Sequence, residues 1–193
     1  MNKNTGICGG MGAAIGIALS WLPAPVLART CQAIPLVPPS AETREFRSAE
    51  LGLSLDIPSN YRSMLRSSGH ISFHDPSSFE FIQCLVRTGE YGAVPPYAAL
   101  EVYKGVSPGT DLVQVVRQKR PWVDFYSPEY IPLEIAGRPA IQYEYTNEIY
   151  ELPILNISLL SEDGQTLITV SGPTQNPILQ NALSTLEIES VLP

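Results

Sequence analysis

From residue 46 to residue 171 the chain repeatedly alternates apolar with polar residues at a period of two, and that pattern commits it to a sheet-based fold. Leu51, Leu53, Leu55 and Ile57 alternate with Gly52, Ser54 and Asp56, so one face is apolar until Pro58 stops the run. Phe46 and its neighbours read as a preceding strand that turns near Glu50. At 70–74, Ile71 and Phe73 fall on one face and His70, Ser72 and His74 on the other, a pattern that reads as a solvent-facing polar edge. Phe79 to Arg87 and Ala98 to Lys104 are rich in aromatic and branched residues and read as two more strands.

Two hairpins close the pattern. Ile131, Leu133 and Ile135 lead through Ala136-Gly137 into Ile141, Tyr143 and Tyr145. Ile154 to Leu160 turns at Glu162-Asp163-Gly164 into Leu167 to Ser171, a strong Asp-Gly signal. Helices fill the gaps. Thr110-Asp111 offers a cap before Leu112, Val115 and Val116, and Pro121 ends that helix. Asn176 as cap and Pro177 at the first helical position open the last helix, whose stripe is Leu179, Ala182, Leu183 and Leu186. The expectation is an α+β domain, a sandwich of α/β/α type with a central, mainly antiparallel sheet flanked by helices.

The amino end reads as a secretory signal at 1–28. Lys3 is its only charge, Ala13 to Leu22 is a short apolar core, and Val26-Leu27-Ala28 suits cleavage after Ala28. The core is too short and Gly-interrupted for a spanning helix of about 20 residues, so no stable membrane anchor is expected after cleavage; an uncleaved anchor is the alternative. The segment 29–42, with Pro35, Pro38 and Pro39, reads as a Pro-rich spacer, which leaves a domain at 43–190. The whole chain carries 12 Lys+Arg against 19 Asp+Glu, a net charge of -7, so no field is available to hold nucleic acid. Cys31 and Cys84 remain after processing. They permit one disulfide in an exported chain; equally, Cys84 reads as a buried thiol and Cys31 as a tail residue.

Four segments carry a resemblance: GLSLDIPSNY at 52–61, the HDP step at 74–76, IAGRPAIQYEY at 135–145 and SEDGQTLITVSGP at 161–173. With the closing helix NPILQNALSTLEI at 176–188, their order resembles the PsbP/Mog1-like superfamily. The resemblance implies an accessory or binding protein rather than an enzyme. It widens the expected compartment to the periplasm, the thylakoid lumen or the extracellular space. The chain lacks the lipidated cysteine of the lipoproteins in that group.

Sites of chemistry are few. Gly105-Val106-Ser107-Pro108-Gly109 matches G-x-S-x-G, but Pro108 has no N–H for an oxyanion hole and no His follows His74, so Ser107 reads as a turn residue. His70 and His74 on a strand lie roughly 13 Å apart at about 3.3 Å per residue, too far to share one ion. Glu144, Glu148 and Glu151 read as solvated, and the Asn156-Ile157-Ser158 sequon falls in a strand. No catalytic residue, metal ligand or cofactor is assigned. The remaining signal is aromatic: Tyr91 and Tyr97 flank one Pro-rich loop, and Trp122, Phe125, Tyr126 and Tyr130 crowd another, with Glu90, Asp124 and Glu129 beside them. Aromatic side chains in loops serve as anchors for a protein partner, or else they fold back as minor core. The leading expectation is an exported, non-enzymatic binding protein that docks on a larger envelope or lumenal, possibly photosynthetic, complex. The alternatives are a secreted enzyme with an unrecognised carboxylate or metal site, and a small-ligand carrier.

Overall fold

The computed structural model describes residues 31–32, 35–148 and 151–188. The signal and cleavage site read at 1–28 lie outside the described residues. In chain order the elements are β1 (Thr43–Ser48), β2 (Leu53–Pro58), β3 (Arg62–Leu65), β4 (Ile71–His74), α1 (Pro76–Thr88) and β5 (Ala98–Lys104). They continue with α2 (Leu112–Lys119), a 3-10 helix (Pro121–Tyr126), β6 (Ile131–Ile135), β7 (Arg138–Asn147) and β8 (Leu152–Leu160). The chain closes with β9 (Thr166–Pro173), α3 (Pro177–Thr185) and β10 (Glu187–Ile188).

The fold is α+β. Seven strands form one antiparallel sheet in the order β3-β4-β5-β9-β8-β7-β6, and β1-β2-β10 form a second, smaller one. The two hairpins legible in the sequence are in place. Ala136 and Gly137 both take positive φ, 51° and 73°, the conformation of a two-residue turn whose twist matches its strands. One face of the large sheet is dry: Phe73, Leu100, Val170 and Ile157 pack under Ile178, Leu179 and Ala182 of α3 and under Leu53, Leu55 and Ile57 of β2. The other face receives α2, where Val115 and Val116 meet Ile141, Tyr143 and Leu167.

Three readings of the sequence are corrected. Phe79 to Arg87 is not a strand but the body of α1, capped by Asp75, whose side chain accepts from the N–H groups of Ser77 and Ser78, with Pro76 at the first turn. Gly89 ends it in the left-handed conformation at φ 70°. Second, β4 is not a solvent-facing edge. The short strand β3 pairs outside it, and Ser72 and His74 are buried. Third, Leu183 is exposed on α3, and Ile178 takes its place in the buried stripe.

Among its described residues the Pro-rich segment has no regular structure, yet it is fastened. The Cys31 and Cys84 sulfurs are bonded, with Cα atoms 5.7 Å apart, so the chain before the domain is joined to α1. The Val37 N–H donates to Asp75 Oδ1 at 3.0 Å. The Ser40 N–H donates to Asn60 Oδ1, and Asn60 Nδ2 donates to the Pro38 carbonyl, both at 2.9 Å. No helix among the described residues is long and apolar enough to cross a membrane.

Candidate functional site

The second face of the large sheet carries a polar stripe where an apolar core would be expected. Ser72, Ala99, Ser171, Asn156 and Tyr143 form one register-matched row across β4, β5, β9, β8 and β7. Glu101, Thr169 and Ser158 form the next row on the same face. Strand alternation alone would give such residues to water. Here Asn156, Ser158 and Thr169 are fully buried, because α2 and the 3-10 helix lower Arg120 onto them.

Arg120 sits at the junction of α2 and the 3-10 helix, and Pro121 behind it ends the α-helix. Its side chain is almost wholly buried. Nη1 donates to the Tyr143 hydroxyl and, at 2.8 Å, to Asn156 Oδ1. Nη2 reaches Glu101 Oε1 at 3.4 Å, and Nε faces Glu101 Oε2 at 3.2 Å as an ion pair without hydrogen-bond alignment. Glu101 also accepts from the Tyr103 hydroxyl at 2.6 Å and from Ser171 Oγ at 2.9 Å. Burial by itself favours a neutral guanidinium, but the charge of Glu101 outweighs it, and Arg120 is held more firmly protonated than usual. The Tyr103 hydroxyl is pushed up by burial and then by Glu101, and that of Tyr143 by burial. Every group in this network is committed to a neighbour. The arrangement is rigid and desolvated, which suits a support more than a proton-transfer site.

Above Arg120 lies an aromatic block. The Trp122 ring covers the guanidinium at 4.5 Å and meets Tyr145 edge-on at 5.2 Å, and Tyr126 stacks on Tyr145 at 4.8 Å. Burial pushes the Tyr145 hydroxyl up to about 12. Beside the block opens a cleft of about 430 Å³, with Glu101 and Ser171 on its floor. Arg66 and His70 from the β3–β4 turn stand on one side and Tyr145 on the other. Pro96 and Tyr97 form a wall shared with a second cleft of about 540 Å³ near the start of α1.

The six aromatic residues singled out in the sequence do not share one surface. Trp122, Phe125 and Tyr126 lie together on the 3-10 helix, with Phe125 89% exposed. Tyr130 turns inward, its ring 5.2 Å from Tyr143, and Arg117 lies over it. Tyr97 packs on His74 at 4.9 Å in the shared wall. Tyr91 stands exposed just past the end of α1. Asp124 on the acidic margin pairs with Arg117 at 3.2 Å, and Glu90 accepts from the Cys31 N–H. Ser107 lies in a turn, where its carbonyl accepts from the Thr110 N–H and hydroxyl. Glu144, Glu148 and Glu151 are exposed. Among the described residues no three His, Cys, Asp or Glu side chains converge on a metal position. Sequence reasoning missed Arg120 and Glu101. The available signal was Asn156, Ser158, Thr169 and Ser171, four polar residues on one face of adjacent central strands, which require a buried polar partner.

No protein-family model and no curated protein matches the chain. Among solved structures it is similar to a crystal structure from Bacteroides thetaiotaomicron, at 12% identity and a TM-score of 0.43, over 76% of this chain. The chain spans about half of that protein's length, 48%. It is also similar to the solution structure of cyanobacterial PsbP from Synechocystis, at 14% identity and a TM-score of 0.49. That match covers 77% of this chain and 93% of the other.

Proposed function

We propose that this chain is an exported accessory protein that works by binding rather than catalysis, and that it docks on a larger envelope or lumenal complex through the 3-10 helix and the adjoining cleft. The carrying observation is the block Trp122-Tyr126-Tyr145, fixed from beneath by the Arg120 network, with Phe125 projecting freely from it. A rigid aromatic cluster beside a polar-floored cleft has the make-up of a binding anchor, since little side-chain freedom is lost when a partner closes over it. The Cys31–Cys84 bond supports export, because such bonds persist in oxidising compartments.

Phe125→Ala is the discriminating variant. Trp122 covers Arg120, so its truncation disturbs the fold as well as the surface. Tagged protein begun at residue 29 should retain a defined partner from its native envelope fraction, and Phe125→Ala should retain it about tenfold less at an unchanged melting temperature. Equal capture by the variant and the parent protein removes the 3-10 helix from the docking surface.

A further inference from the structure

The large sheet ends in two edge strands, and their sequences treat the edge differently. At the β6 end, Ile135 and Arg138 pair across the two-residue turn, so the N–H groups of Ile135, Leu133 and Ile131 are directed toward β7. Positions 132 and 134 face outward, and Pro132 has no N–H to offer a further strand. That edge is closed. At the β3 end, the Arg66 N–H bonds to the His70 carbonyl at 2.8 Å at the head of the hairpin. Alternation then turns the N–H groups of Met64 and Arg62 toward β4 and leaves those of Ser63 and Leu65 pointing outward with their carbonyls. Both residues are exposed, Leu65 by 74%, and among the described residues no strand pairs outside β3. This edge is open.

The side chains along it say what could pair there. Arg62 and Arg66 stand at the two ends of the strand on one face, opposite His74 and beyond Ser72, while Ser63 and Leu65 share the other face with Phe73 and Ile71. Arg44 of β1 reaches the same end of the strand, its Nη2 donating to the Tyr61 carbonyl at 2.9 Å, next to Arg62. Arg66 lies over the Tyr97 ring at 5.9 Å. Among the described residues no carboxylate pairs with Arg44, Arg62 or Arg66, whereas Arg47, Lys104, Arg117 and Arg120 each have one. A chain of net charge -7 thus carries its uncompensated arginines along its open edge. Charge complementarity there calls for acid.

We infer that β3 receives an extended acidic segment of a protein partner, which adds to the sheet as a further strand and alternates acidic with apolar residues. Its backbone bonds to the outward groups of Ser63 and Leu65, its acidic side chains meet Arg62 and Arg66 on one face, and its apolar side chains lie beside Leu65 on the other. A second copy of this chain is disfavoured, because pairing β3 with itself brings arginines together across the strands. Arg66 also lines the cleft of the docking surface, so the inference rests on that reading and names the chemistry of the partner at its β3 end.

The probe is a fluorescently labelled heptapeptide of alternating glutamate and valine, titrated at low ionic strength into the protein begun at residue 29. A peptide of alternating lysine and valine is its control. The net charge of the chain favours the lysine peptide, so a preference for glutamate reports the edge. The glutamate peptide should bind at least about fivefold more tightly than the control. Arg62→Gln with Arg66→Gln should weaken it about fivefold, and Arg62→Glu with Arg66→Glu should reverse the preference. Leu65→Pro removes an outward N–H and no inward one, and should weaken the glutamate peptide about tenfold with both arginines in place. Ser63→Pro serves where that variant fails to fold. Phe125→Ala should leave peptide binding unchanged, so failure at the 3-10 helix and failure at the edge are read separately. The inference is overturned if the lysine peptide binds as tightly as the glutamate peptide, or if the arginine or proline variants bind the glutamate peptide as the parent protein does. A dimer of the parent protein that Leu65→Pro disperses would overturn it as well, by giving the edge to a second copy.

Discussion

The two faces of the large sheet solve the same burial problem by opposite means. On one, Leu100, Val170 and Ile157 meet the apolar stripe of α3 and the inner side of β2, and water is excluded by shape alone. On the other, serines, a threonine and an asparagine from the central strands are buried beneath a charged arginine. The apolar face can be repacked with other hydrocarbon of similar volume at modest cost, whereas the polar face requires one particular side chain. A face built that way fixes the position of whatever lies above it. Here that is Trp122, Tyr126 and Tyr145, which explains why the specific chemistry and the exposed aromatic side chains occur on the same side of the molecule.

The sharpest way to break the comparison is Arg120→Met. It leaves the half-buried Glu101 without its counter-charge and strands the buried Tyr143 and Asn156, so it should cost about 3 kcal/mol in denaturant unfolding. Adding Glu101→Leu should recover at least about 1 kcal/mol, because the uncompensated charge is then gone. Loss below about 1 kcal/mol for the single variant would show that the polar face needs no arginine. The apolar face is sharpened by Gly172→Ala. The added Cβ would lie 2.9 Å from the Ala98 Cα and 3.0 Å from a Leu179 methyl carbon. Since backbone cannot yield as a flexible side chain does, the cost should be about 2 kcal/mol, read in the same measurement.

His74 makes the difference between the faces visible in pH. Its ordinary value of 6.5 falls to about 4 in the fold, by burial first and the Arg66 charge second, against an opposing pull from Asp75. Above pH 6.5 the ring is neutral in both states and its site contributes in full. As pH falls from 6.5 towards 4 the unfolded chain takes up a proton that the folded chain refuses, so stability declines through that window and then levels. The loss should be about 2 kcal/mol once solvent screening is allowed for. Asp75 works in the same direction but lower: its hydrogen-bonded carboxyl is held below 3.8 despite burial, so its contribution is lost only in stronger acid. His74→Phe should flatten the decline between pH 6.5 and 4 in urea titrations, and an unchanged decline would assign it to other groups.

What could be read in the sequence was whatever announces itself between neighbours. The alternation at 51–57 and 131–145 and the Asp163-Gly164 turn are local signals, and they placed the hairpins correctly. The helix α1 was misread because Phe79, Phe81, Ile82 and Val86 belong to strand-favouring types, while its Asp75-Pro76 start occupies two residues and passes for a turn. The strand β3 carries the four residues Arg-Ser-Met-Leu, too few to establish a period, and without it β4 looked like an exposed edge. Arg120 gave no signal because its partners Glu101, Tyr143 and Asn156 are 19, 23 and 36 residues distant, and only the folded sheet brings them together. The grouping of the aromatic side chains failed for the same reason. Loop composition reveals that six rings are present, and it cannot reveal that Tyr130 packs on Tyr143 while Phe125 stays in solvent.

That last contrast yields the smallest expected effect on stability and the cleanest separation of fold from function. Phe125 is 89% exposed, and among the described residues no ring packs against it. Two residues away, Val123 is fully buried, and its N–H is bonded to the Arg120 carbonyl at 3.0 Å. The short helix is thus held from below by Val123 and leaves Phe125 outside. Removing an exposed side chain of this kind changes stability by no more than about 0.5 kcal/mol, and Phe125→Ala should melt with the parent protein. On the proposed docking reading, the role of this exposed ring lies in the partner that closes over it. If Phe125→Ala instead lowers stability by more than about 1 kcal/mol, the ring is packed in solution and the 3-10 helix belongs to the core beneath it. If stability holds and capture of the partner falls about tenfold, the polar face has done through Arg120 and Trp122 what the apolar face cannot, holding an aromatic surface still for another molecule.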